Sequence, residues 1–450
     1  MGEREIERMA PMAARYRRPD WVRRINAMGE SLGGGVEGAR RMVSLDADAM
    51  LEAAERSLGG GAFGDFGDPH WRRRYRALVA AFEARPLNVV GRLMTRQEIL
   101  RALRTRLRLA RAWDANPRLA DEPIVAPIIV TGPARSGTTI TFELLWLDPD
   151  LRGPTAADAL HPVLAATSPA SAAIAAAGTH MGGTRTAGPR PDGTDHDGPE
   201  LAARLAMSEC EQEFWADVQP EFAAIHELRS DLPVECVTLT QPSFCGGHWA
   251  MVGAGAMEMD VVENYAFEKR FLQTLQHGEP KQTWLLKTPG HIMTIDLVFA
   301  TFPDAWVVQT HRDPVKTMPS TVSTTAMVQW LRCDEVDLPT SVRMINGAFS
   351  FGLNSVAERR ARGELPKRFV DVHFQSLLRD PVATMRTAYE GMGRDFTAEH
   401  ADRIRTYLAE KPRGKFGVHK YTPEEWGFTR EELRQSLAPY VAHFGIELED

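Results

Sequence analysis

The segment at residues 132–139, GPARSGTT, restricts the fold more than any other part of this 450-residue sequence. It follows a short apolar run, PIIVT, and precedes TFELLWL, whose apolar residues recur at helical spacing. Gly132 and Gly137 lie five positions apart, and glycines in such a strand, loop and helix unit let backbone N–H groups and a helix N-terminus face an anion. The segment therefore predicts an α/β fold with an anion-binding loop at the end of a buried strand.

The position of the positive charge in this loop distinguishes phosphoryl transfer from sulfuryl transfer. Thr138 occupies the position at which loops that hydrolyse ATP or GTP carry Lys, and Arg135 is the cation inside the loop. Phosphoryl transfer relies on that Lys and on Mg²⁺ to neutralise the phosphates, whereas a sulfuryl group carries less charge. The loop therefore favours sulfuryl transfer without a metal, and the backbone N–H groups from Ser136 to Thr139 are expected to face the donor.

Three further apolar runs rich in β-branched residues predict buried strands: TWLLK at 283–287, AWVVQT at 305–310 and RFVDVHF at 368–374. A stretch with helical spacing separates the first two runs, and parallel neighbouring strands need such a crossover. The sequence therefore predicts an α/β fold in which helices flank a parallel sheet.

The chain is expected to divide into two parts. Residues 1–121 are predicted to form a helical N-terminal region, and the arginines at 101–111 are expected to line a solvated helix face. Residues 122–450 are predicted to form the α/β domain, with a mobile insertion rich in Ala, Gly and Pro at about 166–200.

A second segment, THRDPVKTMPS, places Arg312 at the end of a predicted strand and Ser320 eight residues later. With this segment the chain resembles the sulfotransferases that use 3′-phosphoadenosine 5′-phosphosulfate (PAPS). It is most similar to a bacterial sulfotransferase family in which four motifs follow in order. Those motifs read here PIIVTGPARSGTT, WLLKTPGH, THRDPVKTMPS and GVHKYTPEEWG.

The resemblance, which covers about residues 85–450, implies which residues hold the donor. The loop from Gly132 to Thr139 would contact the 5′-phosphosulfate. Arg312 and Ser320 would hold the 3′-phosphate. A basic turn that contains Arg413 and Lys415 resembles the lid that covers the nucleotide phosphates in this family.

Catalytic roles also follow from the resemblance. Lys287 and His291 of WLLKTPGH are placed near the transferred group, and Arg135 would oppose the charge on the leaving phosphate. A general base must take a proton from the acceptor, and only His titrates naturally near neutral pH. His291 is therefore our first prediction for the base, followed by Glu211 and then Asp158.

Composition restricts the partners. The formal net charge of −7 gives no general attraction to polyanions, so nucleic acid is not expected as a partner. The charged start and the lack of any long apolar run predict a cytoplasmic protein without a membrane span. The four cysteines show no paired metal-binding spacing, so no metal is expected.

Apolar segments at 213–228 and 243–259 favour a small apolar acceptor, and a homo-oligomer is left open.

Two other functions share some of these features. A metal-dependent nucleotide kinase would use the same glycine frame, but it would require the missing Lys and Mg²⁺. A catalytically silent protein of the same fold would bind the product nucleotide 3′-phosphoadenosine 5′-phosphate (PAP) without turning over PAPS. The sequence therefore predicts PAPS-dependent sulfuryl transfer to a hydroxyl or amine, with these two functions as alternatives.

Overall fold

The computed structural model describes residues 9–162, 199–225, 227–253, 259–277, 282–411 and 421–449. Its described strands form one parallel sheet in the order β2-β3-β1-β4-β5. The strands are β1 (Ile128–Thr131), β2 (Leu151–Arg152), β3 (Thr283–Lys287), β4 (Trp306–His311) and β5 (Phe369–His373).

The three central strands bring the predicted motifs to one edge of the sheet. Ile129 of β1 pairs with Leu286 of β3 on one side and with Val307 of β4 on the other. In a parallel sheet the carboxyl ends of neighbouring strands lie side by side, and ligands bind at that edge. The loop after β1 and the segments after β3 and β4 therefore meet there.

Helices cover the sheet and build the N-terminal region. Among the described residues the α-helices are, in chain order, α1 (Met12–Arg15), α2 (Asp20–Met28), α3 (Gly35–Met42), α4 (Ala47–Ser57), α5 (Trp71–Glu83), α6 (Val89–Ala115), α7 (Thr138–Trp146), α8 (Ala156–Leu160), α9 (Pro199–Val218), α10 (Cys236–Leu239), α11 (Gly247–Met251), α12 (Val261–Gln276), α13 (Ile295–Thr301), α14 (Pro314–Trp330), α15 (Leu338–Ala361), α16 (Phe374–Arg379), α17 (Pro381–Gly391), α18 (Ala398–Glu410), α19 (Arg430–Ser436) and α20 (Ala438–Phe444). Short 3₁₀ helices span Glu30–Leu32, Pro117–Asp121, Pro220–Ala224, Gln241–Ser243, Pro289–Thr294 and Glu424–Trp426.

The four predicted strands and the α/β fold are confirmed. The run TWLLK forms β3 over its full length, and β1, β4 and β5 lie within one residue of their predicted bounds. The short strand β2 was not predicted, because two residues show no alternation. Every side chain of β1 is buried, as expected for a parallel strand covered by helices on both faces.

The arginines of α6 contradict the prediction of a solvated helix face. Arg101 and Arg106 are buried. Arg106 donates hydrogen bonds to the backbone oxygens of Gly64 (2.9 Å) and Pro242 (3.1 Å), and it lies 4.2 Å from the ring centroid of Trp71. The spacing of residues along one helix could not show that other segments supply hydrogen-bond acceptors for these guanidinium groups and cover them.

One apolar core connects the N-terminal helices to the sheet. Leu103 of α6 belongs to the same buried cluster as Trp249, Leu286 and Leu331. Near the N-terminus, Arg18 donates a hydrogen bond of 2.5 Å to the backbone oxygen of Cys333. The two parts therefore pack against each other, and the proposed boundary at residue 122 remains a prediction.

The predicted insertion at 166–200 lies outside the described residues, except that α9 begins at 199. Among the described helices, none has both the length and the apolar character that crossing a membrane requires. The four cysteines are free, and three of them are buried.

Candidate active site

The loop after β1 has the close packing that its glycines predict. At Gly132, φ is +134°, and a Cβ there would lie 2.5 Å from the backbone oxygen of Thr310. At Gly137, φ is +91°, and a Cβ would lie 2.8 Å from Cδ2 of Phe374. Helix α7 begins at the next residue, so its positive N-terminal end lies at the loop, where an anion is stabilised.

Ser136 stabilises the loop itself. Its hydroxyl is buried, 2.6 Å from the backbone oxygen of Pro133 and 2.5 Å from Oγ1 of Thr310. Its backbone N–H also donates to Pro133. In this conformation the polar groups of Ser136 therefore connect the loop to β4.

Arg135 bridges the loop and the segment after α9. Its backbone has a left-handed φ of +69°, and its Nη1 donates a 3.2 Å hydrogen bond to the backbone oxygen of Ile225. Burial lowers the pKa of Arg135, and nearby Arg312 acts in the same direction. A guanidinium group that is largely desolvated interacts strongly with any anion that reaches it.

Lys287 ends β3, and its ammonium group reaches the start of α7. Its side chain is buried at the end of β3. Nζ donates a 2.6 Å hydrogen bond to Oε1 of Glu235 and a 3.4 Å hydrogen bond to Oγ1 of Thr139. The ammonium group therefore connects a carboxylate to the anion-binding loop.

Sequence reasoning missed Glu235. It directly precedes α10 and belongs to none of the four motifs, so no spacing in the sequence connects it to Lys287. Only the tertiary fold brings this carboxylate to the end of β3.

Arg312 follows β4 and holds three groups. Its Nε and Nη2 donate to the two carboxylate oxygens of Glu449 at 2.8 and 2.9 Å. Its Nη1 donates to the backbone oxygen of Arg135 at 3.2 Å, and its guanidinium carbon lies 4.0 Å from the ring centroid of Phe374. A cavity of about 250 Å³ lies against these residues and is also lined by Arg379.

Ser320 lies on α14, two helical turns after Arg312. It is fully buried, and its hydroxyl has no hydrogen-bond partner among the described residues. An unpaired buried hydroxyl is costly unless a ligand satisfies it. This orphaned group fits the phosphate contact that the resemblance implied for Ser320.

His291, our first prediction for the base, lies in a 3₁₀ helix after β3. Its Nδ1 is 2.6 Å from the hydroxyl of Tyr265, and its Nε2 is buried without a partner among the described residues. Burial lowers the pKa of His291 to about 4. Both ring nitrogens therefore face the protein interior.

The other two predicted bases are held by partners. Oε2 of Glu211 lies 2.7 Å from Nη1 of Arg101; burial opposes ionisation, but Arg101 and His161 together outweigh it, so the pKa of Glu211 is lowered. Asp158 forms a capping box with Thr155 at the start of α8, and its other oxygen accepts from Arg204 at 3.0 Å. Both carboxylates therefore contribute to packing between helices in this conformation.

Two predicted groups cannot be placed at the site. Arg413 and Lys415 lie outside the described residues. Phe244 and Trp249, from a segment expected to line the acceptor pocket, are fully buried and stack on each other in the core with centroids 6.1 Å apart. The role of the two segments at 213–228 and 243–259 in acceptor binding stays a prediction.

The chain resembles a known protein family and known structures. The model of the sulfotransferase family matches residues 127–398. Among solved structures, sulfotransferase STF9 from Mycobacterium avium has a TM-score of 0.68 and 25% identity, covering 90% of this chain and 98% of that one. Sulfotransferase STF1 from Mycobacterium tuberculosis has a TM-score of 0.66 and 23% identity, covering 87% of this chain and 98% of that one.

Curated relatives lead to the same family. The omega-hydroxy-beta-dihydromenaquinone-9 sulfotransferase Stf3 of Mycobacterium bovis is 23% identical over 334 residues, which cover 72% of this chain and 77% of the relative. Stf3 of Mycobacterium tuberculosis gives the same values.

Proposed function

This chain belongs to the sulfotransferase family, and we propose how its residues carry out the transfer of a sulfuryl group from PAPS to a hydroxyl or amine of a small apolar acceptor. The observation that carries the proposal is the position of Lys287, whose Nζ contacts both Glu235 and Thr139 at the start of α7. That position combines a cation, a carboxylate and a helix N-terminus around one small volume.

The donor site rests on groups that fit a nucleotide with phosphates at both ends. The loop with Gly132 and Gly137 packs so closely against Thr310 and Phe374 that neither glycine tolerates a side chain, and this packing holds the start of α7 where the 5′-phosphosulfate would bind. Arg312 and the unpartnered hydroxyl of Ser320 would hold the 3′-phosphate. PAPS supplies the sulfuryl group and PAP leaves.

The transfer forms a bond between the acceptor oxygen and sulfur and breaks the bond between sulfur and the 5′-phosphate oxygen. Glu235 would accept the proton that the acceptor hydroxyl loses. Lys287 and Arg135 would stabilise the negative charge that develops on the leaving phosphate. We propose Glu235 ahead of His291, Glu211 and Asp158 as the base, because Lys287 connects its carboxylate to Thr139 of the loop.

We propose a hydroxylated lipid or a similar apolar alcohol as the acceptor. Stf3 is named for a hydroxylated menaquinone, which is an apolar molecule with one reactive hydroxyl. In this chain, Arg135 donates to the backbone oxygen of Ile225, and Ile225 and nearby Phe222 are buried apolar residues. This contact connects the loop to an apolar part of the chain.

The proposal also covers the metal requirement, the class of acceptor and the cellular location. The transfer step needs no metal, because Lys287 and Arg135 supply the positive charge. The net charge of −7 supports a small-molecule acceptor over a nucleic acid. The enzyme would act in the cytoplasm, and its assembly into a homo-oligomer is left open.

The test is an acceptor panel incubated with PAPS and followed by mass spectrometry and PAP release. We expect a hydroxylated prenylated quinone to gain one sulfo group while PAP appears in equal amount. Sulfation of polysaccharides alone would overturn the acceptor class. PAP binding without PAP release from PAPS would favour the catalytically silent alternative, and stabilisation by Mg²⁺ with ATP would favour the kinase.

A further inference from the structure

Three side chains from separate elements converge in the interior beside the proposed site. They are Cys236, the first residue of α10, Glu268 on α12, and His291 in the 3₁₀ helix after β3. One ligand atom from each lies within 4.8 Å of the other two. Their exposed fractions are 2%, 1% and 5%, so bulk water does not solvate them.

The polar atoms of this cluster lack partners. His291 Nε2 and both carboxylate oxygens of Glu268 make no hydrogen bond within the described residues. Leaving such atoms buried and unsatisfied is costly, and native interiors seldom do so. The unpartnered nitrogen of His291 and the two unpartnered oxygens of Glu268 lie beside the Cys236 sulfur, which indicates that a ligand completes the cluster.

The imidazole is oriented as a metal ligand is. Nδ1 of His291 lies 2.6 Å from the hydroxyl of Tyr265, which lies 2.8 Å from Oγ1 of Thr294. Ligating histidines typically hydrogen-bond through their second ring nitrogen, which fixes the ring. If Nδ1 donates its proton to Tyr265, Nε2 presents a free lone pair to Cys236 and Glu268.

We propose that Cys236, Glu268 and His291 bind one divalent transition-metal cation, with zinc as the best fit. Sulfur, imidazole and carboxylate form a ligand set suited to zinc, whereas Mg²⁺ and Ca²⁺ prefer oxygen ligands. Bond lengths of about 2.0–2.3 Å place ligands about 3–4 Å apart on a tetrahedral ion, so binding would draw the side chains slightly together. A water molecule would take the fourth position.

The cation would position the transfer site without taking part in the reaction. Cys236 directly follows Glu235, and His291 lies four residues after Lys287. One ion would therefore connect the two segments that carry the ion pair between Glu235 and Lys287. No spacing in the sequence indicates this site, because its ligands lie 32 and 23 positions apart.

The test measures metal content and cobalt absorption on the purified full chain. Wild type loaded with zinc and dialysed should hold one zinc per chain, and the cobalt(II) form should show a thiolate-to-cobalt charge-transfer band. Cys236→Ser and Glu268→Gln should lose most of this zinc, and Cys236→Ser should also lose the band. Cys245→Ser is the matched control, because Cys245 is equally buried but lies outside the cluster.

Thermal unfolding separates metal binding from misfolding. Zinc should raise the Tm of the metal-free wild type and of Cys245→Ser but leave that of Cys236→Ser unchanged. A wild type that takes up no zinc and shows no cobalt band overturns the inference, as does a Cys236→Ser variant that keeps the band. A chain that binds zinc but releases no PAP from PAPS overturns the proposed function alone.

Discussion

Arg312 binds the carboxylate of Glu449, whereas the resemblance implies that it binds the 3′-phosphate of the nucleotide. Its fork pairs with both oxygens of Glu449, and Glu449 is itself fixed by hydrogen bonds to Asp313 (2.7 Å) and from Arg434 (2.8 Å). A phosphate dianion beside that carboxylate would be repelled. We therefore expect Glu449 to compete with the 3′-phosphate for Arg312.

The variant Glu449→Gln should bind PAP more tightly. Removing the competing charge should lower the Kd about tenfold, which corresponds to ~1.4 kcal/mol. Calorimetry with PAP and with adenosine 5′-phosphosulfate checks the cause, because the second nucleotide lacks the 3′-phosphate and its Kd should not change. Weaker PAP binding by the variant would mean that Glu449 orients Arg312 and does not compete.

Ser320→Ala separates a ligand contact from a structural one. The wild-type hydroxyl is buried and unpartnered, so its removal should leave the Tm unchanged or slightly raised. The Kd for PAP should rise about 10- to 100-fold, since one hydrogen bond to a charged group contributes about 1.5–3 kcal/mol. A variant with a lowered Tm and normal PAP affinity would contradict the donor assignment.

The backbone conformation of the loop between β1 and α7 determines the shape of the proposed donor site. We predict that Gly132→Ala abolishes PAP binding, because its Cβ would meet backbone atoms of Thr310 that cannot move independently of β4. Gly363→Ala is the control: φ is +68° there, but a Cβ meets nothing within 4 Å. PAP titration of both variants, with circular dichroism as a folding check, distinguishes loop geometry from the general cost of a left-handed alanine. Equal PAP affinity in both would contradict the prediction.

The elements around this loop were predictable to different degrees. Four strands were found because buried parallel strands are short, β-branched runs between turn residues. The arginines of α6 were misjudged because the partners of Arg106, Gly64 and Pro242, belong to distant segments. Spacing within one helix carries no information about such contacts.

The site itself was predictable only in part. The loop glycines and Lys287 lie in motifs, and the structure brings both to the start of α7. Glu235 meets Lys287 across 52 positions, and Asp158 and Glu211 meet their arginine partners across 46 and 110 positions. The contacts of each carboxylate depend on the tertiary fold, so the ranking of His291, Glu211 and Asp158 from the sequence stays a prediction, and Glu235 could not be included in it.

At the scale of the whole molecule, a buried ion pair connects the N-terminal helices to the sheet domain. Glu98 of α6 lies 2.6 Å from Arg332, and both side chains are almost fully buried. Burial opposes ionisation of Glu98, but Arg332 and then His248 outweigh it and lower the pKa of Glu98 from 4.5 to about 2. The folded state therefore favours the carboxylate.

This pair predicts a loss of stability in acid. Because the folded pKa lies below the unfolded one, the stabilisation is complete above about pH 4.5 and is lost as the pH falls toward about 2. Urea unfolding at several pH values should show a shallower loss in this range for Glu98→Gln than for wild type. Glu390→Gln, which alters an exposed side chain, is the control. An identical slope in Glu98→Gln and wild type would contradict the prediction.

The central claim is that Glu235 and Lys287 form the transfer centre at the loop. The most direct measurement compares kcat for PAP release and Kd for PAP in wild type, Glu235→Gln and the control Glu390→Gln, with an accepted substrate. We predict that Glu235→Gln lowers kcat about 10²–10⁴-fold, the usual contribution of a general base, while PAP affinity stays within a few-fold of wild type. A Glu235→Gln variant that folds, binds PAP and turns over at the wild-type rate would contradict the account.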